Sequence, residues 1–222
     1  MDFLSTFLNM DVLRSSGPML INGLVVTILL GTVSLLLSIV IGLFLVFIRL
    51  YAINPLKILA VIYIDLFRAI PLLVLLVLIY FALPFLGPRL SSFWAAAAAL
   101  SLVAGAYMAE TFRAGIEAVP RGQFEAAKAL GFTWPKLMID IILPQAMRIV
   151  VPPATGIAVG LVKDTALASV VALPDLLKQA TQTQAFYANP SPLIGAAALY
   201  LLLLVPLVRI VALLEAKKLH RA

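Results

Sequence analysis

The sequence contains no cysteine and a single histidine, His220. Without thiols the chain cannot form a disulfide scaffold, a thiolate metal site or a cysteine nucleophile. The histidine lies in a charged tail, which argues against a serine–histidine protease and a histidine metal site. The phosphate-binding pattern Gly-x-x-x-x-Gly-Lys-Ser/Thr is also absent. We therefore expect a chain that is not an enzyme and that binds no metal or cofactor itself.

Charged residues are scarce, at 12% of the chain, whereas hydrophobic residues make up 64%. A soluble domain has about 45–50% apolar residues, so this composition indicates an integral membrane protein. Residues 19–48 contain no charged side chain and exceed the roughly 20 residues needed to cross a bilayer. Asp2 and Asp11 make a poor signal-peptide start, so we interpret this first apolar segment as a retained span.

The apolar segments predict five membrane spans, at 19–48, 58–86, 90–109, 149–173 and 187–214. The second span carries Asp65, Arg68 and Pro71, so we expect a broken or kinked helix with its most apolar part at 71–83. We find no internal repeat and no low-complexity linker. The expected organisation is one all-α membrane domain over 1–222.

The cations predict the orientation, because Lys and Arg accumulate on the cytoplasmic side of a membrane protein. An odd number of spans places the two termini on opposite sides. One side then carries only Arg14, Arg89 and Lys178, whereas the other carries Arg49, Lys57, Arg113, Arg121, Lys128, Lys136, Arg148, Arg209, Lys217, Lys218 and Arg221. The N-terminus is expected outside and the C-terminus in the cytoplasm. The net charge of +6 thus reflects topology, and we expect no nucleic-acid partner.

The longest cytoplasmic loop, 113–148, contains a patterned polar segment. Helix-forming residues at 124–130 precede Gly131, which predicts a left-handed cap. Thr133 could cap a second helical piece that has Pro135 in its first turn and is ended or kinked by Pro144. Local chemistry leaves two interpretations open: a helix that binds a soluble partner, or an amphipathic helix lying on lipid headgroups.

The spacing of that loop favours the first interpretation. Glu-Ala-Ala at 125–127 is followed by three residues, Gly131, nine residues, and Ile-Ile-Leu-Pro at 141–144. This pattern resembles the EAA loop of importer-type ABC permeases. Four further stretches resemble permeases for polar amino acids such as histidine, arginine, glutamine or glutamate: 67–73 (FRAIPLL), 107–116 (YMAETFRAGI), 120–123 (PRGQ) and 163–167 (KDTAL). The resemblance covers roughly 27–215, and Ala69 departs from the glycine common there.

The resemblance implies the permease of a type I ABC importer in the bacterial inner membrane, with five transmembrane helices and a short cytoplasmic coupling helix. Implied partners are an ABC ATPase dimer that uses ATP and Mg, a second permease, identical or homologous, and an extracytoplasmic substrate-binding protein. Small Ala126 and Ala127 would permit close approach, and Glu125 would contact the partner or cap its own helix. The expected ATPase-coupling residues are Arg121, Gly122, Phe124, Glu125, Ala126, Ala127, Leu130 and Gly131, with Phe124 and Leu130 giving apolar contact.

Lys163 and Asp164 interrupt an apolar span, where ionisable residues are functional candidates by default. Adjacent helix positions point about 100° apart, so the two charges do not simply neutralise each other. Asp164 could meet a substrate ammonium, or the pair could fix packing or gating. With Thr165 and Tyr107 they are the predicted pathway or gate. Two alternative functions stay open: a secondary transporter driven by an ion gradient, and a membrane scaffold that transports nothing.

Overall fold

The computed structural model of the protein describes the backbone of residues 6–219 and the side chains of residues 6–213. Within this part of the chain every regular element is helical. The predicted all-α class is confirmed. The helices are α1 (Met10–Tyr51), α2 (Asn54–Ala69), α3 (Leu72–Val77), α4 (Ser92–Glu117), α5 (Arg121–Ala129), α6 (Trp134–Leu137), α7 (Leu143–Asp164), α8 (Leu176–Tyr187) and α9 (Ser191–Leu219).

Short segments of tighter or wider helix connect several of these elements. A π-helical turn, Leu78–Ala82, and a 3₁₀ turn, Leu83–Leu86, follow α3. A second π-helical turn, Met138–Ile142, joins α6 to α7, and a 3₁₀ segment, Thr165–Val171, extends α7.

Four helical segments of the described chain are long and apolar enough to cross a membrane: Met10–Tyr51, Ser92–Glu117, Trp134–Val171 and Ser191–Leu213. Helix α2 and residues Leu72–Leu86 form a bent pair that would supply a fifth span. The first segment extends beyond the predicted span at both ends, that of the third predicted span at its carboxyl end and that of the fourth at its amino end, whereas Ser191–Leu213 lies within the predicted 187–214. The fourth begins at Trp134 rather than at 149, because the chain continues as helix through Pro144. The π-helical turn just before this proline provides the change of hydrogen-bond register that a residue without an N–H requires.

The break in the second span lies at Ile70 and Pro71, as expected from the sequence. Pro71 adopts an extended backbone (φ −61°, ψ 129°) directly before α3. The residue before a proline is sterically biased away from helical angles, so α2 ends at Ala69.

The described chain divides into two compact units. The first unit combines the residues up to Leu36 with Ile70–Ser101 and Val159–Arg209. Its core contains Leu20, Leu176, Ala180 and Ala196. The N–H of Leu176 donates to Thr27 Oγ1 over 3.1 Å. The start of α8 is thereby tied to α1.

Asp175 caps α8 inside the first unit. It is fully buried, and its carboxylate accepts a hydrogen bond from the backbone N–H of Lys178 over 3.0 Å. The second carboxylate oxygen, Oδ2, has no partner among the described atoms. Burial therefore raises the pKa of Asp175 to about 6, although backbone hydrogen bonds oppose the shift.

The second unit combines Leu37–Ala69, Leu102–Ala158 and the chain from Ile210 onward. Leu45, Ala60, Ile64 and Ala109 form one core cluster that joins α1, α2 and α4. Gly42 permits the close approach of α1 to α4, because a Cβ atom at this position would lie 2.7 Å from the Cβ of Met108. The second unit also contains α5, α6 and the first part of α7.

Candidate functional site

Helix α5 and the two residues after it, Leu130 and Gly131, contain the residues predicted to couple to an ATPase. The residues that flank α5 explain where it begins and where it ends. Pro120, which has no N–H to leave unsatisfied, precedes the first turn in an extended conformation. At the other end Phe132 N–H donates to Ala127 O over 3.1 Å, and Gly131 N–H donates to Lys128 O over 3.0 Å. Gly131 has φ +78°. This is the Schellman arrangement, so the predicted left-handed cap at Gly131 is confirmed.

The second helical piece, α6, begins where the sequence predicted. Thr133 stands at its N-cap and Pro135 in its first turn. The Thr133 hydroxyl accepts no capping hydrogen bond. Instead the Thr133 carbonyl accepts from Leu137 N–H over 2.9 Å. The predicted start of the helix is therefore confirmed, whereas the predicted side-chain cap at Thr133 does not form.

One face of α5 packs against the rest of the second unit, to which α5 itself belongs. Ala127 is buried with Val119, Leu137, Met138, Ile142 and Ala146, and Phe124 packs against this cluster. Ala127 is thus used within the chain, and Phe124, which is half-buried, also packs inward. Their contact with an ATPase stays a prediction. The other predicted residues are exposed: Arg121, Gly122, Glu125, Ala126, Leu130 and Gly131. Leu130 is 77% exposed and is the apolar side chain of this outward face.

Glu125 does not cap its own helix. It lies on the outward face, and the described residues provide it with no hydrogen-bond or salt-bridge partner. Its predicted contact with a partner stays a prediction.

Trp134 connects α5 to the end of α1. Its ring stacks on Phe124 at a centroid distance of 6.4 Å, and Lys128 Nζ lies 5.8 Å from its centroid. Trp134 Nε1–H also donates to the Tyr51 hydroxyl over 3.3 Å. Displacement of α5 would therefore act directly on the last residue of α1.

An ionic network lies at the ends of α1 and α4. Glu110 pairs with Arg49 of α1 and, over 2.7 Å, with Arg113 of its own helix. Arg113 also pairs with the more exposed Glu117. The pair of Glu110 with Arg113 has the i,i+3 spacing of neighbours on one helix, whereas the contact of Glu110 with Arg49 joins two helices that are distant in sequence.

Three of the predicted pathway residues, Lys163, Asp164 and Thr165, belong to the first unit. Lys163 and Asp164 end α7, are exposed, and form no salt bridge with each other or with another described residue. Asp164 lies beside the apolar side chains of Leu72, Leu76 and Leu100. Thr165 differs, since it is fully buried and donates to Val162 O over 2.6 Å.

The fourth predicted pathway residue, Tyr107, belongs to the second unit. It is 41% exposed. Its hydroxyl donates to Arg68 O over 3.4 Å, and the guanidinium carbon of Arg68 lies 5.4 Å from the ring centroid. Arg68 lies just before the break in the second span, in the last turn of α2. Its contacts with Tyr107 make it a further candidate residue.

Comparison with known proteins decides the family. Residues 38–220 match the family model described as binding-protein-dependent transport system inner membrane component. The chain belongs to this permease family. The assignment confirms the resemblance inferred from the EAA spacing.

Individual relatives agree with this permease assignment. The chain is 37% identical over 202 residues to the arginine transport system permease protein ArtQ of Bacillus subtilis, covering 90% of this chain and 92% of ArtQ. It is 35% identical over 180 residues to the L-cystine transport system permease protein TcyB of Bacillus subtilis, covering 81% and 77%. A crystal structure of an amino acid ABC transporter with histidines superimposes with a TM-score of 0.86 at 34% identity, covering 98% and 99%.

Several contacts of the permease were outside the reach of sequence patterns. Tyr51 and Trp134 are 83 residues apart, and Arg49 and Glu110 are 61 apart. The available signal was weak: aromatic residues favour membrane–water interfaces, and both Tyr51 and Trp134 lie at helix ends. That signal indicates depth in the membrane but does not identify the partner.

Proposed function

We propose that the chain is a permease subunit that imports polar amino acids with energy from a separate ABC ATPase, and that α5 transmits the movement. The observation that carries the proposal is the construction of α5. One face packs on the second unit through Phe124 and Ala127, whereas Glu125 and Leu130 face outward without a partner in the described chain. Such a helix can bind a second protein and move with it.

The path of movement within the second unit is short. Trp134 contacts Phe124 and Lys128 of α5 and donates its indole hydrogen bond to Tyr51 at the end of α1. A force on α5 would therefore reach α1 through one side chain. Because α1 and α7 each contribute residues to both compact units, a change at α5 can alter long helices rather than the loop alone.

An ATPase dimer that uses ATP and Mg, a second permease and an extracytoplasmic binding protein complete the proposed importer. The family description supports the binding protein and the inner membrane. The sequence has no phosphate-binding loop of the Walker type, so nucleotide hydrolysis falls to the partner. Relatives differ in the amino acid that their names carry, which supports the class of substrate rather than one member.

The proposed orientation places α5 in the cytoplasm, with the N-terminus outside and the C-terminus inside. The support is the uneven distribution of Lys and Arg along the sequence. The proposed pathway or gate includes Tyr107, Lys163 and Asp164. Thr165 would act there by holding the end of α7, since its hydroxyl bonds to Val162 O.

The test is uptake of radiolabelled amino acids into proteoliposomes that contain the permease pair, the ATPase and the binding protein, with ATP trapped inside. We expect wild-type uptake to require ATP, and Gly131→Asp to abolish it. Gly87→Asp is the matched control, because Gly87 also has a positive φ (+111°) and open space around it but follows the 3₁₀ turn Leu83–Leu86 instead of ending α5.

Two outcomes would contradict the proposal. Uptake driven by an ion gradient without ATP would indicate a secondary transporter. Binding of the ATPase that depends on α5, without flux of any amino acid, would indicate a scaffold.

A further inference from the structure

Arg68 belongs to the bent helix pair that would supply the second membrane span, where an arginine is unusual. Helix α2 begins at Asn54, directly after the turn that ends α1, and forms with Leu72–Leu86 the bent pair that would supply a membrane span. Arg68 follows Lys57 by eleven residues, which is about 16 Å along a helix. The hydrocarbon core is about 30 Å thick, so an α2 that enters it at Lys57 along the membrane normal would carry Arg68 well inside the core. Anchoring at the headgroups, the usual role of an arginine close to a span's end, would not fit such a depth.

The guanidinium of Arg68 lies near the Tyr107 ring but forms no salt bridge with a described carboxylate. Its carbon atom lies 5.4 Å from the Tyr107 ring centroid, and the Tyr107 hydroxyl donates to Arg68 O. The salt bridges of the described chain involve other residues, so the N–H groups of Arg68 face no carboxylate. An unpaired charge in the membrane is costly, and the Tyr107 ring compensates for only part of that cost. No carboxylate of the described chain pairs with Arg68.

Asp65 adds a second charge to the same region of α2. It precedes Arg68 by three residues and is exposed, yet the two side chains do not pair within 4 Å. Residues three apart are neighbours on a helix surface. Tyr107, Arg68 and Asp65 thus present an aromatic surface, a cation and an anion within one part of the second unit.

We propose that Arg68, supported by Tyr107, binds the α-carboxylate of the transported amino acid. This inference rests on the proposed function. A guanidinium presents two parallel N–H groups that match a carboxylate. The α-carboxylate is common to all amino acids, so one arginine serves substrates with different side chains. Asp65 supplies the complementary charge for the α-ammonium group.

The break after α2 explains why the second unit can present this arginine. Because α2 ends at Ala69, Arg68 lies in the last turn of its helix, one residue before the extended Ile70–Pro71 segment. Cations are favoured at the carboxyl end of a helix. Non-helical backbone at membrane depth is tolerated where it lines a cavity or is covered by protein.

The test compares the transported amino acid with its α-carboxamide, which lacks the negative charge. Nanodiscs holding the permease pair and the ATPase, without the binding protein, are equilibrated with millimolar radiolabelled amino acid, and the amide competes. Omitting the binding protein removes its own discrimination. We expect the wild type to prefer the acid, and Arg68→Gln to lower acid affinity about 10- to 150-fold with amide affinity unchanged.

Further variants separate the parts of the site. Arg68→Lys should recover part of the preference, because lysine keeps the charge but not the fork. Tyr107→Phe should change little, whereas Tyr107→Ala should lower acid affinity about 2- to 5-fold through loss of the ring. Arg148→Gln, which removes an exposed arginine of α7, is the matched control and should retain the wild-type preference.

Three results would overturn the inference. An unchanged preference in Arg68→Gln would exclude the carboxylate contact, and an equal loss for acid and amide would indicate a structural role or a contact with the second permease. A wild type that binds no amino acid at millimolar concentration, although it transports one, would also exclude the site. Absence of ATP-driven uptake in the wild type would instead overturn the proposed function itself. If Arg68→Gln does not assemble, the acid-to-amide preference of Arg68→Lys decides.

Discussion

Replacing Gly131 by alanine tests whether the cap of α5 matters for coupling. Gly131 has φ +78°, and a Cβ atom added there would meet no atom of the described chain within 4 Å. The change therefore creates no clash inside the protein. Its cost is conformational, about 1–2 kcal/mol for an L-residue held in the left-handed region.

The chain can avoid that cost only by giving up the cap. A negative φ at position 131 would break the hydrogen bonds from Phe132 N–H to Ala127 O and from Gly131 N–H to Lys128 O. Each is worth about 0.5–1.5 kcal/mol, so escape costs as much as the strain. If the ATPase binds only the capped helix, affinity falls by the fraction of the free variant that keeps the cap. Equal costs leave about half of it capped, an affinity lowered about 2-fold, and the upper limit of about 5- to 30-fold is reached if water fully replaces the broken hydrogen bonds.

The assay is titration of the ATPase onto permease nanodiscs that carry glycine, asparagine, alanine or aspartate at position 131. Asparagine visits the left-handed region more readily than alanine. We therefore expect affinity to fall in the order glycine, asparagine, alanine if the backbone angle alone matters. If a partner packs directly on Gly131, asparagine will be no better than alanine. Alanine with wild-type affinity would refute a role for the cap, and Gly87→Ala should have no effect.

Three further predictions concern stability, measured as thermal unfolding in detergent. Gly23→Ala should destabilise by about 1–3 kcal/mol, because its Cβ would lie 2.8 Å from the carbonyl oxygen of Asp175, whereas Gly156→Ala, with open space, should not; equal effects would contradict the packing argument. Glu110→Gln should cost about 1.5–3 kcal/mol, and Glu117→Gln, whose side chain is 58% exposed, should be nearly neutral; the reverse order would exclude the network. Asp175 has a pKa of about 6 against an ordinary 3.8, so the folded state holds the proton more tightly than the unfolded state. Wild-type stability therefore falls as the pH rises from about 4 to about 6. Asp175→Asn should therefore be more stable at neutral pH by about 3 kcal/mol and lose this advantage near pH 4; a constant difference would show that titration is not the cause.

The sequence determined the features that depend on local geometry. The positive φ at Gly131 and the break at Pro71 were predictable, because each residue restricts its own dihedral angles or those of a neighbour. The pairing of Glu110 with Arg113 followed from helical spacing. Composition indicated a membrane protein, since a water-soluble domain of this size could not bury so many apolar residues. The spacing of the EAA loop indicated the family.

Only the tertiary structure decided which side chains are free. Phe124 and Ala127 lie in the predicted coupling segment but pack inward, because α5 turns its apolar residues toward the second unit. Thr165 is buried although its neighbours Lys163 and Asp164 are exposed. Such differences depend on where neighbouring helices lie, and no local pattern encodes that position.

Contacts across long separations were likewise decided by tertiary structure. Trp134 with Tyr51, and Arg68 with Tyr107, join residues 83 and 39 positions apart. Local dihedral preferences act over a few residues, whereas these contacts depend on how α1, α2, α4 and α6 pack within the second unit. The sequence therefore determined the class, the family and the local shape of the coupling segment. The packing of the helices determined which of its residues, and which arginine, remain available for other molecules.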